Sequence, residues 1–438
     1  MAAPIETITA DPPAEPDEAL LDRFQRAAFG YFLETFNPAN GLTADTTRPG
    51  APASIAVVGF ALAAYPVGVE RGWIARDEAV ARALTTLRFF WNARQDGGPG
   101  ATGHKGFFYH FLDMDTGART WRCELSPIDT ALLVAGMLTA AAYFALETPE
   151  EREIRTLADA IYRRVDWGWA QAGKATVRQG WKPESGFLHY GWEGYSEAIL
   201  LYALGLASPT HPLSDSSYVA WTETYQWENI YERDLLYAGP FFIHLFSHAW
   251  IDFAGLRDRF MRERRTDYFE NTSQAVWVQR EYARRNPHGY LGYDQDSWGL
   301  TANDGPGSKA LWVEGRKRRF FSYAARGVPY GPDDGTLAPW GPLAALPFAP
   351  DSALLALRQL CDRYPHVVEG SRLPSGFNPT LRDAGPDGWI SEGYFGLDQG
   401  IVVLMVENHR SGLIWRLMRS CPWIGNGLRR ADFRGGWL

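Results

Sequence analysis

Apolar residues recur at spacings of three and four along most of the chain, and strand-like alternation is scarce and short. This spacing is the pattern of helices with one buried face, so it predicts an all-α protein. We expect Asp17 to cap a first helix that begins at Glu18. The further predicted helices are Ile55–Tyr65, Asp77–Asn92, Asp129–Leu146, Glu150–Val165, Glu197–Ala207, Tyr237–Phe246, Asn271–Arg285, Tyr323–Ala325, Ser352–Tyr364, Gly400–Val406 and Ser411–Met418.

Long loops rich in Gly, Pro, Trp and Asp separate the predicted helices. They include QDGGPGATGHKGFF, YDQDSWGLTANDGPGS and YGPDDGTLAPWGP. Loops of this length are uncommon in compact domains unless they are functional. We therefore expect these loops to form one face of the molecule.

The number and spacing of the helices suggest a closed ring of helical hairpins. Roughly a dozen helices at intervals of about 30 to 50 residues fit an inner ring wrapped by an outer ring. Residues 1–16 are rich in Pro, Ala and Glu and are predicted to be a flexible leader. Residues 17–438 are then predicted to be one domain.

Composition and charge exclude several classes of protein. Hydrophobic residues make up 46% of the chain and charged residues 21%, which is typical of a globular protein. A net charge of -8 argues against a nucleic acid or an anionic membrane as the main partner. The basic runs REYARR (280–285) and GRKRRF (315–320) are interpreted as solvated helix faces.

The chain has no run of about 18 uncharged apolar residues, so a membrane span is not expected. Its three cysteines are too widely spaced for a disulfide framework or a CxxC metal site. The first residues lack a basic region followed by an apolar one, which predicts a cytoplasmic protein as given, or a periplasmic one if a signal has been removed.

A carboxylate stands at the start of three apolar helical segments. These residues are Asp129, Glu197 and Asp398. If their helices belong to one inner ring, their N-terminal ends meet at the same mouth of the barrel. The sequence therefore predicts three converging acids.

The Asp129 carboxylate also has a purely structural interpretation. Ser126 and Pro127 before it form a favourable helix N-terminus, where an acid is stabilised by the helix dipole. Glu124 lies close upstream. A capping role and a site role both stay open for Asp129.

Aromatic and acidic residues crowd the loop before Glu197. Tyr190, Trp192, Glu193 and Tyr195 precede it. A sugar stacks its C–H faces on aromatic rings while polar groups bind its hydroxyls. This pattern favours a carbohydrate site over a simple helix start.

The segment GYFGLDQGIVVLMVENHR places two acids on one predicted helix. Glu407 is nine residues after Asp398, about half a turn round the helix, so the two cannot share a face. Glu407 is interpreted as a structural ion paired with Arg410. Asp398 is the better catalytic candidate.

Paired carboxylates are the usual equipment for cleaving a glycosidic bond, one as proton donor and one as base or nucleophile. Two other motifs are weaker. His244 and His248 have metal-ligand spacing but no evident third ligand, and Asp333–Asp334 lies in a Gly/Pro turn. We expect no catalytic metal and no cofactor.

Several long motifs in the same order resemble the glucoamylase-like helical-barrel proteins, which include the β-1,2-glucanases of glycoside hydrolase family 144 and a domain of cyclic β-1,2-glucan synthases. The motifs are FFYHFLDMDTG, ELSPIDTALLVAG, GWEGYSEAILLYALGLASPTHP, FSHAWIDF, SWGLTANDGP and GYFGLDQGIVVLMVENHRSGLIW. The resemblance implies an (α/α)6 toroid that hydrolyses β-1,2-glucan with inversion and without metal.

The resemblance also implies roles for individual residues. Glu197 would be the general acid and Asp398 the general base, with Asp129 and Glu124 supporting substrate contacts. Trp298 of SWGLTANDGP and Tyr394 of GYFGLDQG are further predicted substrate contacts.

Endo-acting hydrolysis is the first hypothesis. Exo action, or cleavage of cyclic or branched glucan, is a close variant, and a transglycosylase would use the same two acids. A glycan-binding protein without turnover is the remaining alternative.

Overall fold

The computed structural model describes residues 15–438, and of the predicted leader only Glu15 and Pro16 fall within that range. Helices dominate this part of the chain. The α-helices are α1 Asp17–Glu34, α2 Ile55–Glu70, α3 Arg76–Asn92, α4 Pro127–Tyr143, α5 Pro149–Arg164, α6 Ile199–Ala207, α7 Ser217–Thr222, α8 Arg259–Arg264, α9 Tyr268–Arg285, α10 Trp340–Ala344, α11 Pro350–Arg363, α12 Gly396–Arg410, α13 Leu413–Ser420 and α14 Pro422–Arg430.

The strands are short, and each pairs with one antiparallel neighbour. Most have two residues, and they lie in the segments between helices, as the scarce alternation predicts. They are β1 Ala53–Ser54, β2 Gly103–His104, β3 Phe107–Phe108, β4 Phe111–Leu112, β5 Trp181–Lys182, β6 Gly186–Phe187, β7 Trp227–Ile230, β8 Arg233–Leu236, β9 Leu256–Arg257, β10 Ala302–Asn303, β11 Lys309–Val313, β12 Arg316–Phe320, β13 Ala324–Ala325, β14 Phe377–Asn378, β15 Trp389–Ile390 and β16 Arg434–Gly435.

Most predicted helices are confirmed, with ends shifted by a few residues. Several local predictions are wrong, among them the solvated helix face at residues 315–320, where Arg316–Phe320 is strand β12. Residues 237–246 form only a short 3₁₀ turn, Phe241–His244, and a second turn follows at Ser247–Ala249. Tyr323–Ala325 is a loop that ends in β13, and Asp17 makes no side-chain cap because the helix N-cap is Pro16.

Four helices form the centre of the molecule. Nearly every residue of α2, α4, α6 and α12 is buried, whereas α3, α5 and α11 bury one face only. A helix that is apolar all round must be enclosed by other elements. Helix α2 packs against α4 and α12, and α4 packs against α6.

Glycines allow the closest of these helix contacts. A Cβ atom on Gly136 of α4 would lie 2.0 Å from the carbonyl oxygen of Gly59 on α2. Real Cβ atoms do not approach that closely, so both positions require glycine for α2 and α4 to touch. The tight contact fixes the middle of α4 against α2.

Helix α1 is held against α12 by polar contacts as well as by packing. The buried Glu407 carboxylate accepts from both guanidinium nitrogens of Arg71, at 2.9 and 3.0 Å, and from Gln25 of α1 at 3.1 Å. Arg410 pairs instead with Glu18 and Asp22. Glu407 is therefore a structural ion as predicted, but its partner is Arg71 and not Arg410.

Candidate active site

A cavity of about 310 Å³ opens where the starts of the central helices meet. Its wall is largely apolar, with Phe111, Leu132, Phe242, Phe246, Trp340 and Phe395 among the lining residues. Asp129, Glu197 and Asp398 all reach it. The structure thus brings together the three acids that the sequence places at helix starts.

Asp129 occupies the third position of α4. The Ser126 hydroxyl accepts from the Asp129 backbone N–H at 3.2 Å, and the same hydroxyl donates to Asp129 Oδ2 at 2.5 Å. Pro127 begins the helix. The predicted cap is confirmed, and the capped residue also faces the cavity, so the two interpretations of Asp129 are compatible.

His110 links Asp129 to Glu124. Its Nδ1 lies 2.9 Å from Glu124 Oε1 and 3.6 Å from Asp129 Oδ2. Burial opposes its charge, but the acids Asp129, Glu124 and Asp45 outweigh burial and raise the pKa of His110 to about 9. His110 is a cation at neutral pH, and its hydrogen bond holds the pKa of Glu124 below the usual value.

His110, Glu124 and Asp129 also have the composition of a metal site, since their ligand atoms lie within 4.8 Å of one another. A histidine must be neutral to bind a metal, because the protonated ring has no free lone pair. A metal ion would therefore have to displace the proton of His110, whose pKa the neighbouring acids raise.

Glu197 lies two residues before α6 and not in its first turn, which corrects the predicted helix start. The Ser247 hydroxyl donates to the Glu197 carbonyl at 2.6 Å and accepts from the Leu200 N–H at 3.2 Å. These bonds fix the backbone that carries the acid. Burial, with a smaller contribution from the charge of Asp129, raises the pKa of Glu197 to about 7.

Asp398 lies in the first turn of α12 and is buried. Its Oδ2 has no hydrogen-bond partner among residues 15–438. Burial raises the pKa of Asp398 well above the ordinary value, the Ser375 hydroxyl opposes the shift, and the charges of Asp45 and Asp304 add to it. An oxygen left without a partner inside a cavity is available to a ligand or a water molecule.

The sequence interpretation missed Asp45 and Asp304. Asp45 lines the cavity, and burial raises its pKa to about 6. The charge of Asp304 helps to raise the pKa of Asp398, and Asp304 accepts from Ser391 at 2.8 Å and pairs with Arg48. Both aspartates lie in loops outside the helices, where no periodic pattern marks a residue, and the local signal was the density of Asp, Thr and Gly around them.

Most of the predicted aromatic contacts lie away from the cavity. Tyr190 is 71% exposed, and Glu193 is exposed and accepts from Thr176 at 3.1 Å. Trp192 packs on the core and Tyr394 lies under the Arg372 guanidinium. The predicted sugar-binding group ahead of Glu197 is therefore not assembled around the acid.

Tyr195 and Trp298, which were also predicted to contact the substrate, pack against other aromatic rings instead. The Tyr195 ring points inward and meets Tyr225, His244 and Tyr268. Trp298 is 2% exposed and packs edge-on against Phe241. Tyr195 is half-buried, and neither ring lines the cavity, so we assign both residues to packing.

Tyr323 is an aromatic residue at the cavity that the sequence interpretation placed in a helix. Its side chain is 58% exposed and lines the cavity near Asp398 and Asp45. An exposed ring beside acids is the surface on which a sugar ring stacks.

The two weaker motifs have structural roles. Burial lowers the pKa of His244 to about 4 and that of His248 to about 3, so both are neutral, and Thr272 binds His248 Nε2. Asp333 accepts from Tyr282 and Tyr293, and Asp334 forms a fully buried pair with Arg326. None of the four lines the cavity.

Among the helices of residues 15–438, none combines the length and the apolar character needed to cross a bilayer.

Comparison with known proteins finds relatives that are named for hydrolysis of β-1,2-linked glucans or glucooligosaccharides. An exo beta-1,2-glucooligosaccharide sophorohydrolase of Parabacteroides distasonis is 29% identical in an alignment that is 464 positions long with its gaps. The alignment covers 97% of this chain and 59% of that protein. The chain thus spans about three fifths of the length of this curated relative.

Solved structures share the fold over nearly the full length. A protein of Bacteroides uniformis described as a "putative glucoamylase" has a TM-score of 0.85 at 28% identity, covering 98% of this chain and 100% of that one. An endo-beta-1,2-glucanase of Chitinophaga pinensis, solved with sophorotriose and glucose, has a TM-score of 0.83 at 26% identity, covering 97% and 100%.

A family match covers residues 189–422, which is more than half of the chain and includes both Glu197 and Asp398. The resemblance drawn from the sequence motifs is confirmed. The chain belongs to the glucoamylase-like family whose description is "Putative glucoamylase".

Proposed function

We propose that this protein is a glycoside hydrolase that cleaves β-1,2-linked glucan, with Glu197 as the proton donor and Asp398 as the base. The observation that carries the proposal is the meeting of acids from three separate elements in one apolar-walled cavity, where burial raises the pKa of Glu197 to about 7. A donor must still hold its proton near neutral pH, and this environment supplies that condition.

The relatives support the choice of substrate. The Chitinophaga pinensis protein is named for endo action on β-1,2-glucan, and the Parabacteroides distasonis protein for exo action on β-1,2-glucooligosaccharides. Both names share the linkage. β-1,2-Glucan is therefore the substrate with which to begin.

In the proposed reaction, the Glu197 carboxyl group donates its proton to the glycosidic oxygen as the bond to the anomeric carbon breaks. Asp398, once ionised, takes a proton from the attacking water. The unpartnered Oδ2 of Asp398 suits this role because it can accept that hydrogen bond. We propose inversion of the anomeric carbon, which NMR of the first product would detect.

The cluster of His110, Glu124 and Asp129 is proposed to bind sugar hydroxyls at the cavity wall. Its members present both donors and acceptors, and sugar hydroxyls need both. Tyr323 is proposed to stack on the ring of a bound glucose unit.

We also propose that the helices close an (α/α)6 toroid in one domain of residues 17–438. Helices α12, α2, α4 and α6 contact in sequence, α10 packs on α12, and the 3₁₀ turns at 241–249 contact α12 and lie beside α6 through Ser247. These six elements would form the inner ring, with α1, α3, α5 and α9 outside it.

The test is incubation with linear β-1,2-glucan, followed by chromatography of the products over time. Endo action, our first expectation, gives an early ladder of lengths. Exo action, favoured by the name of the curated relative, gives one small sugar from the start. Longer products at high substrate would instead indicate transglycosylation.

The variants Glu197→Gln and Asp398→Asn should each slow formation of the products by about 10² to 10⁴. Glu193→Gln is the matched control, because Glu193 is an exposed glutamate four residues away that does not line the cavity. An unchanged glucan in the presence of wild-type protein would refute the proposed function.

A further inference from the structure

Two open spaces are lined by residues that lie near the cavity-lining residues along the chain. We call the first the middle depression; it is lined by Arg48, Asp304–Gly307, Ser322, His366, Ala384–Pro386, Gly388–Ile390 and Glu392. We call the second the outer groove; it is lined by Lys309, Leu311–Glu314, Thr380–Ala384 and Trp389. Trp389 and Ala384 line both, so the two spaces are neighbours.

Two segments of the chain connect these spaces with the cavity. In the first segment, Ala302 and Tyr323 line the cavity, Asp304 and Ser322 line the middle depression, and Lys309–Glu314 line the outer groove. One segment of the chain thus carries lining residues of all three spaces.

The second segment also carries lining residues of all three spaces. Thr380–Ala384 lie at the outer groove, Trp389 borders both open spaces, and Phe395 with Asp398 reaches the cavity. Arg48 joins the parts, because its guanidinium lies 5.0 Å from the Phe395 ring centroid and pairs with Asp304.

The outer groove has the surface chemistry of a carbohydrate site. Leu311, Val313 and Trp389 supply apolar area, and Lys309, Arg382 and Asp383 supply charged hydrogen-bonding groups. Trp312 at its edge is 75% exposed. Large exposed aromatic rings are costly in water and mark binding surfaces when they cluster.

The hairpin that forms one wall is fixed to the body of the protein. Strands β11 and β12 pair over five positions from Lys309↔Phe320 to Val313↔Arg316. Arg318 donates to the carbonyls of His288 and Gly289 at 3.1 and 2.8 Å, and Phe320 is fully buried. A wall held in place before binding loses little entropy when a ligand arrives.

We propose that the outer groove binds distal glucose units of a long β-1,2-glucan chain whose cleaved bond lies at the cavity. This inference rests on the proposed function for the identity of the glucan. It adds that the protein favours polymeric chains over short oligosaccharides, because only a long chain spans the cavity, the middle depression and the outer groove together.

The experiment compares kcat/KM on polymeric β-1,2-glucan with kcat/KM on a β-1,2-linked trisaccharide, for wild type and three variants. Trp312→Ala and Trp389→Ala remove apolar surface at the groove, and Trp312 is exposed enough that its loss should leave the fold intact. Trp91→Ala is the control, since Trp91 is a 42% exposed tryptophan on α3 outside all three spaces.

We expect each groove variant to lower the polymer-to-trisaccharide ratio by about fivefold to tenfold. The control should keep the wild-type ratio, and circular dichroism melting checks that all three variants fold. A ratio unchanged in both Trp312→Ala and Trp389→Ala would overturn the outer groove as a binding site while leaving hydrolysis established.

Failure of the proposed function has a separate signature, because wild type would then cleave neither substrate. Titration calorimetry of wild type with polymeric β-1,2-glucan still tests the groove in that case. Binding that weakens in Trp312→Ala and not in Trp91→Ala supports the groove, and binding that is equal in both or absent from wild type contradicts it.

Discussion

The half-buried position of Glu197 at the cavity determines the pH range in which it can act as an acid. Its pKa is raised to about 7, so the group holds its proton below that pH and loses it above. Asp398 must be ionised to act as a base, and its pKa is also raised. Because the two groups share one cavity, the apparent pKa values seen in the pH profile of activity describe the pair and not either residue alone.

We therefore expect a narrow bell-shaped profile of kcat/KM on β-1,2-glucan. Activity should fall about tenfold per pH unit on the alkaline side of about 7, as the donor loses its proton. In Glu197→Gln the rate should fall by about 10² to 10⁴ and the alkaline limb should disappear. An alkaline limb that persists unchanged in Glu197→Gln would assign the donor role to another group.

Glu197 should also reduce stability when it is ionised. Its pKa is about 7 in the folded protein against an ordinary 4.5, so the folded state favours the neutral form. The contribution of Glu197 to the free energy of unfolding is therefore greatest below pH 4.5, and it is lost as the pH rises to about 7. Glutamine stays neutral throughout.

Glu197→Gln should accordingly be more stable than wild type at pH 8 by about 2 to 3 kcal/mol, and equal to it near pH 4.5. Urea unfolding at the two pH values measures the difference. Glu193→Gln, which changes an exposed glutamate, should show none. A glutamine variant less stable at pH 8 would mean that the ionised carboxylate is stabilised in the folded protein.

The three converging acids could be found from the sequence because each precedes an apolar helix, and that pattern is local. The rings of Tyr195 and Trp298 could not be placed this way. Both side chains turn into the core, and the direction of a side chain in an irregular loop depends on tertiary packing. His110 and Asp45 reach the cavity from such loops as well.

At the scale of the elements, the residues that stabilise the N-terminus of α4 also position a carboxylate at the cavity. Ser126 caps the helix and also donates to the Asp129 carboxylate. Thr148 caps α5 in the same way and accepts from the Glu151 N–H at 3.2 Å, but neither Thr148 nor Glu151 lines the cavity. The two caps have the same local geometry in different surroundings. They form a natural pair for comparison.

Ser126→Ala and Thr148→Ala should each lower the free energy of unfolding by about 1 kcal/mol, because one helix N–H loses its acceptor. Only Ser126→Ala should also lower kcat/KM, since it frees the Asp129 carboxylate. Denaturant unfolding and kinetics on β-1,2-glucan provide the two readouts. Equal activity in both variants would leave Asp129 with the capping role alone.

The run GRKRRF shows why one element was misassigned. The run was interpreted as a solvated helix face rather than a nucleic-acid patch, but Glu314 and Gly315 both have positive φ, 50° and 74°. Two such residues form the tight turn that suits a hairpin, and β12 follows at Arg316. A Gly in a charged run was the available signal, because it is a backbone constraint.

The segment 237–246 was misassigned for a different reason. Its apolar residues have helical spacing, and Phe241, Leu245 and Phe246 are buried. Phe241 N–H is bonded to the Leu300 carbonyl and Phe242 N–H to Thr301, so neighbouring loops take the bonds that a helix would need. Those partners lie about sixty residues away and leave no local trace.

At the scale of the whole molecule, the first and last helical parts of the chain are joined at α1, α2 and α12. Glu407 is 1% exposed and is bound by Arg71, Gln25 and Ser411. Arg372 further ties the loop before β14 to Glu34 at the end of α1. Contacts that join chain ends make the unfolding of one part depend on the other.

Residues 17–438 should therefore unfold in one cooperative transition, with far-UV circular dichroism and tryptophan fluorescence giving the same midpoint. Glu407→Gln should lower the free energy of unfolding by about 3 to 5 kcal/mol, because Arg71 then loses its buried partner. The transition should move to a lower midpoint and stay single. Glu78→Gln, which alters an exposed pair with Arg82, should change stability by less than about 1 kcal/mol. Two separate midpoints in wild type, or in Glu407→Gln alone, would mean that the helices do not form a single closed unit.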